Sequence, residues 1–444
     1  MLHPGQEISA VVESLGFQGE GVCRVKGFVL FVPYALPGEE VLLRIEEVKK
    51  NHALASLVKV FSFSPDRQAP RCLVFGKCGG CSMQHLAYEQ QLELKRQGIE
   101  NTLYKISGIK LKVLPVIGMK EPWHYRNKTT WQVAAGAEGF KTGFFAGKSH
   151  DLVVAEGCAI ASEASNKAVK SLVSWLNRRF PDREKQPDSP VSELVTRNDR
   201  DGKLMLLLGC DAPDLPYLSE LADDLCKSLP ELVSVYAYAA DDRSKEARHL
   251  SGRSALTEQI DGLNFSLSPF SFYQVNHEIM EEMYRYALSQ AEQDKNDTLV
   301  DIYSGIGTIS MLASKHFKQV IGLELSKSAV QDARISARNN KLTNTAFISG
   351  FAERELPKLT ASGLKANAII LDPPKKGAHS HVLSAMMDAK PDRIIYISCH
   401  PASQARDAAI LMKGGYEPVA SQPFDMFPQT GEIENVMTFR RRTI

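Results

Sequence analysis

The chain has 444 residues, with 53 lysines and arginines against 52 aspartates and glutamates. This length allows two or three domains with substantial cores, and the charge balance excludes a uniformly basic nucleic-acid binder, so any such surface must be a local patch. No signal peptide or apolar run of membrane-spanning length is evident, which predicts a cytoplasmic protein without a membrane partner; among its eight cysteines disulfides are not expected, clustered ones suggest metal binding or catalysis, and Cys23, Cys210 and Cys226 read as ordinary core or surface thiols.

Residues 1–62 carry short strand-like runs separated by glycine turns. Residues 8–13 alternate, Gly19-Glu20-Gly21-Val22 turns into a second run, and residues 28–32 form a third. Leu36-Pro37-Gly38-Glu39-Glu40 is another turn, followed by runs at 41–45 and 53–60. The pattern predicts a small antiparallel barrel of OB type, a fold that often binds single-stranded nucleic acid. It resembles a TRAM domain, an RNA-binding module of RNA-modifying enzymes, through the Gly19-Glu20-Gly21-Val22 turn, Phe31-Val32 and Leu36-Pro37-Gly38-Glu39.

A proline-rich linker opens a second domain, residues 63–265, with an α+β pattern. Cys72, Cys78 and Cys81 fall on one short loop, and Gly79-Gly80 lets its backbone wrap an inorganic centre. Cys158 is the next cysteine and the candidate fourth ligand. Four thiolates suit either a zinc ion or an iron–sulfur cluster. A periodic helix is expected over 84–104. Trp123-His124-Tyr125-Arg126-Asn127-Lys128 interleaves aromatic and basic side chains, as RNA stacking and phosphate pairing require. Strands are expected at 140–145, 151–155, 191–196, 204–208 and 234–239, with helices near 161–179 and 217–228. Residues 181–190 read as a charged, proline-bounded loop.

In residues 266–444 strands and helices alternate regularly, which predicts a Rossmann-like, doubly wound parallel sheet. The whole chain is thus a multidomain α/β protein. Asp301 precedes the glycine turn Ser304-Gly305-Ile306-Gly307. Glu324 ends the next strand, where an acidic residue binds ribose hydroxyls in nucleotide-binding folds. The turn lacks the full dinucleotide pattern, which favours the shorter S-adenosylmethionine. Asp372-Pro373-Pro374 ends the fourth strand. The fifth, Arg393-Ile394-Ile395-Tyr396-Ile397-Ser398, runs into Cys399-His400-Pro401 and a helix, placing Cys399 where helix termini stabilise thiolates.

Asp-Pro-Pro also occurs in amino-group methyltransferases, usually followed by an aromatic residue; here Lys375-Lys376-Gly377 follows. Methylating an amine needs no cysteine, whereas C5 of a pyrimidine becomes nucleophilic only after a thiolate adds at C6. A base must then remove the C5 proton, for which Glu432 and Glu434 are candidates.

These residues together resemble a bacterial S-adenosylmethionine-dependent RNA (uracil-5-)-methyltransferase of the group carrying a TRAM domain and a [4Fe-4S] cluster. The resemblance covers essentially the whole chain. It implies that Cys72, Cys78, Cys81 and Cys158 hold the cluster. It also implies that Gln274 (in Phe272-Tyr273-Gln274-Val275-Asn276), Tyr303, Glu324 and Asp372 bind S-adenosylmethionine, with Cys399 as nucleophile and Glu434 as proton-abstracting base. The family often has a histidine shortly before that glutamate, where this chain has Gly431, Glu432 and Ile433. Members with both barrel and cluster mostly modify 23S ribosomal RNA, and the tRNA enzymes generally lack both. The expected function is therefore 5-methyluridine formation in 23S rRNA, by a monomer without an obligate protein partner. The rivals are the same chemistry on tRNA, or a non-catalytic RNA-binding ribosome-assembly factor. A binding module would need none of Cys399, Glu434, Glu324 and Asp372.

Overall fold

The computed structural model describes residues 2–16, 18–25, 27–147, 149–181, 190–241, 246–291, 294–295 and 297–442. At the N-terminus, β1 (Glu7–Leu15), β2 (Gly21–Val25), β3 (Phe28–Val32), β4 (Glu40–Val48) and β5 (His52–Ser62) close into a barrel in the order β1-β2-β3-β5-β4. Alternation fixes its interior: Val41, Leu43 and Ile45 of β4 point inward with Leu30, Val32 and Ala53. The barrel is not wholly antiparallel, because β3 and β5 pair in parallel. Glu39 is fully buried but satisfied: it accepts from the Leu36 and Ser64 amides and pairs with Arg67 at 2.5 Å. That pair ties the barrel to the linker.

The next segment contains α1 (Tyr88–Ser107), β6 (Lys128–Gly136), β7 (Gly139–Phe145), β8 (Leu152–Val154), α2 (Glu163–Arg179), β9 (Glu193–Asn198), β10 (Leu204–Cys210), α3 (Tyr217–Ser228), β11 (Leu232–Ala239) and β12 (Arg248–Gly252). Its seven strands form one mixed sheet, β12-β11-β10-β9-β6-β7-β8, in which only β10 and β11 pair in parallel. Helix α2 starts where the Ser162 hydroxyl accepts from the Ser165 amide. It buries Val169, Leu172 and Leu176 on the sheet, a spacing that lines one helical face. Helix α1 starts at Tyr88 rather than residue 84, and Gln84 and His85 are buried in the turn before it. The loop expected at 181–190 lies, but for its end residues, outside the described residues.

Two elements missed by periodicity follow: β13 (Leu256–Ile260) and β14 (Leu263–Leu267), a hairpin. It leans on the C-terminal domain, where the Ser266 amide donates to Ser336 and Asn340 bonds both polar groups of the Asn264 backbone. That domain comprises α4 (His277–Ala291), β15 (Thr298–Ile302), α5 (Thr308–Ala313), β16 (Gln319–Glu324), α6 (Lys327–Asn339), β17 (Thr345–Ser349), α7 (Ala352–Ala361), β18 (Ala368–Leu371), α8 (Ser380–Asp388), β19 (Arg393–Ser398), α9 (Pro401–Lys413), β20 (Tyr416–Phe424) and β21 (Glu434–Arg441). The sheet order is β17-β16-β15-β18-β19-β21-β20. The first five strands are parallel, and β21 is inserted antiparallel between β19 and β20. Apolar layers cover both faces, and α1 contributes Ile99 and Leu103 to one of them. Strand order reverses between β15 and β18, the place where open α/β sheets bind ligands at their carboxyl ends. Among the described residues no helix is long and apolar enough to cross a membrane.

Candidate active site

The crevice at this reversal is lined by the residues that end the strands. After β15 the chain turns through Tyr303, whose φ of 67° is unusual for a residue with a side chain. A Cβ on Gly305 would meet nothing within 4 Å, so the backbone here is open to a ligand. Glu324, at the end of β16, accepts from the Gly305 amide at 3.0 Å and the Ser326 amide at 2.8 Å, locking the two loops together. Gln274 is buried, and its carbonyl accepts from Asn127 at 2.9 Å. Asp301 is buried beneath the turn and accepts from the Ser310 hydroxyl at 2.6 Å. Burial pushes its carboxyl up to about 7. Asp372, just past β18, is likewise pushed up to about 7 by desolvation.

Cys399 follows β19 directly. The β19–β21 ladder ends at Ser398 opposite Asn435, so the register continued by one residue sets Cys399 across from Glu434. Directly opposed residues on antiparallel strands are near neighbours. Asn435 is itself fixed: its side chain donates to Gln404 and accepts from Ser421, and its carbonyl accepts from Gln404. Glu434 is buried, and burial with the nearby Asp372 and Glu432 holds its carboxyl well above the usual range. Lys375 pairs with the exposed Glu432 at 2.6 Å.

The expectation of a helix-stabilised thiolate is corrected here. Burial first, then Glu434 and Asp372, push the Cys399 thiol up to about 12 despite the adjacent N-terminus of α9. The helix end is capped by the His400 side chain, which accepts from the Ser403 amide and so satisfies one of its free N–H groups. Lys375 is the cation that opposes the trend. Sequence reading treated Lys375 only as a missing aromatic, and no local signal placed it beside Cys399. Asp301 was noticed as a strand end, but its partnership with Ser310 depends on how α5 docks.

Cys72, Cys78, Cys81 and Cys158 line one cavity of about 420 Å³ together with Arg126 and Phe272. The four thiols do not converge as a single-ion site: among the described residues no group of three or more Cys, His, Asp or Glu is placed to hold a metal ion. The four thiols line a common space, three of them from the loop that carries Gly79 and Gly80 and the fourth from Cys158. The aromatic–basic stretch beside the cavity is not the RNA-stacking surface expected from sequence. Trp123 and Tyr125 are buried, the Tyr125 hydroxyl donates to the Pro428 carbonyl at 3.1 Å, and Arg71 covers the Trp123 ring. Burial thus assigns these rings to domain packing.

Comparison with known proteins gives consistent matches. Residues 243–442 match the family model described as tRNA (Uracil-5-)-methyltransferase, and residues 2–58 match the TRAM domain. The chain is 36% identical over 444 residues to an uncharacterized RNA methyltransferase of Listeria innocua, covering 98% of each chain. It is 38% identical to one from Caldanaerobacter subterraneus subsp. tengcongensis, again covering 98% of each. Among solved structures it resembles the Pyrococcus abyssi tRNA (uracil-54, C5)-methyltransferase in complex with S-adenosyl-L-homocysteine. That match has a TM-score of 0.76 and 25% identity, over 97% of this chain and 100% of that one.

Proposed function

The chain belongs to the RNA (uracil-5-)-methyltransferase family, and from that premise we propose that it methylates C5 of a uridine in 23S ribosomal RNA, using Cys399 as nucleophile and Glu434 as base. The observation that carries the reading is the cross-strand placement of Cys399 opposite Glu434 at the carboxyl edge of the sheet, in the field of Asp372. S-adenosylmethionine supplies the electrophilic methyl group. Glu324, Gln274, Tyr303 and Asp372 would be the residues that hold it, the Glu324 carboxylate serving as acceptor for ribose hydroxyls. As the Cys399 sulfur bonds to C6 its proton passes to bulk water, with Lys375 offsetting the negative field of the carboxyls, and the displaced C5–C6 electron pair makes C5 nucleophilic; the thiolate expelled at the end recovers a proton from water. After methylation Glu434 takes the C5 proton. The electrons of that C–H bond restore the C5–C6 double bond and expel the Cys399 sulfur. Burial raises the proton affinity of Glu434 and suits it to this step.

The same reading assigns Cys72, Cys78, Cys81 and Cys158 to a [4Fe-4S] cluster, remote from the reacting atoms in sequence and serving folding or RNA docking. Anaerobically purified protein should be brown and contain iron and acid-labile sulfide. Stoichiometric zinc in a colourless, active protein would contradict it.

The barrel and the four-thiol cavity together support a 23S rRNA target reached in the cytoplasm. The likeness to a tRNA (uracil-54, C5)-methyltransferase over 97% of this chain supports tRNA as a second reading. Mapping 5-methyluridine in RNA from a deletion strain decides between them. The account expects loss at a 23S rRNA uridine, restored by wild-type protein and not by Cys399→Ala. Loss confined to tRNA would establish the second reading.

A further inference from the structure

The loop joining β20 to β21 delivers Glu434, and the strands on either side pair only as far as Phe424 opposite Glu434. Within that loop Gln429 is fully buried with φ 70°, a left-handed conformation that a glutamine adopts only when its surroundings impose it. The surroundings are the residues that directly follow the cysteine motif. The Gln429 carbonyl accepts from the Ser82 amide at 3.1 Å and the Met83 amide at 3.0 Å. The Gly431 amide donates to the Ser82 hydroxyl at 3.1 Å. Gln91 bonds the backbone amide and the side-chain oxygen of Gln429 with the two ends of its own amide. On the far side, a Cβ on Gly431 would lie 2.7 Å from the Gln18 backbone, so the turn between β1 and β2 closes against the same loop.

Glu434 depends on this frame. Its Oε2 is buried and meets no hydrogen-bonding partner among the described residues, so no side-chain partner at that oxygen aims it and the backbone must. We propose that Ser82 and Gln91 are positioning residues for Glu434: the segment after Cys81 clamps Gln429 and Gly431, and its contribution falls on removal of the C5 proton rather than on RNA binding or attack by Cys399. The inference rests on the role given to Glu434 under the proposed function. Ser82 follows Cys81 directly, so the clamp lies one peptide bond from the thiol loop.

The test uses the full-length protein and a transcript of whichever RNA, 23S rRNA or tRNA, the wild type methylates. Ser82→Ala and Gln91→Met should each lower kcat about tenfold, as expected for a modest misplacement of a reacting group, with KM falling in proportion so that kcat/KM, and the affinity for S-adenosylmethionine, are unchanged. The kinetic isotope effect on kcat with 5-deuteriouridine RNA should rise, because proton removal becomes slower. Covalent trapping by 5-fluorouridine RNA, which needs only addition and methyl transfer, should proceed at the wild-type rate. Ser82→Thr, which keeps the hydroxyl, should restore kcat. Unchanged kcat and isotope effect in both variants would overturn the clamp, as would parallel losses in trapping, kcat/KM or donor affinity. If the wild type itself is not trapped, the role of Cys399 and Glu434 fails first; if it is trapped and the variants match it throughout, only the clamp fails.

Discussion

The charges that decide the chemistry come from separate strands, and only the fold shows their sum. Cys399 was legible as a candidate because an apolar strand runs into a small polar turn and a proline-started helix. Its protonation state was not, because the opposing carboxyls come from β21 and the loop after β18. The carboxyls of Asp301 and Asp372, both pushed up to about 7, give a pH prediction. A cationic donor binds best to ionised carboxylates, so below pH 7 binding must release a proton that the free site holds. Affinity for S-adenosylmethionine should therefore rise from pH 6 through 7 and level off at about pH 8. Calorimetry in buffers of different ionisation enthalpy should show proton release at pH 6 that fades by about pH 8. An affinity flat across that range would mean that neither carboxyl faces the donor.

Among the elements, period-2 and period-3.6 patterns located most strands and helices within a few residues, because each buries one face or both. The β13–β14 hairpin escaped because its strands are short and it packs on α6 rather than on the sheet before it. The role of α1 was also hidden. Its sequence is polar and periodic, yet Lys95 and Asp425, 330 residues apart, form a fully buried ion pair at 2.5 Å. The Tyr88 hydroxyl donates to the other Asp425 oxygen at 2.8 Å. Removing one partner of such a pair strands a buried charge, so Lys95→Met should destabilise the protein by about 3–5 kcal/mol in denaturant unfolding. Lys95→Met combined with Asp425→Leu should recover part of that loss. A single variant as stable as wild type would show that the pair is not holding α1 to the β20–β21 loop.

For the molecule as a whole, the three-part organisation was readable from glycine-turned strands, a cysteine cluster and alternating strands and helices. The way the parts meet was not. The barrel turn, the segment after Cys81 and the loop before Glu434 converge at one junction, and such contacts between distant segments leave no periodic trace. That junction places the TRAM barrel against the loop that leads into Glu434. The central claim is that this assembly methylates C5 through a covalent bond from Cys399. The most direct measurement is a denaturing gel of enzyme, S-adenosylmethionine and labelled 5-fluorouridine RNA, since fluorine cannot leave C5 as a proton does. The account predicts a shifted protein–RNA band with wild type and none with Cys399→Ala; a band that persists in Cys399→Ala, or methyl transfer by that variant, would contradict it.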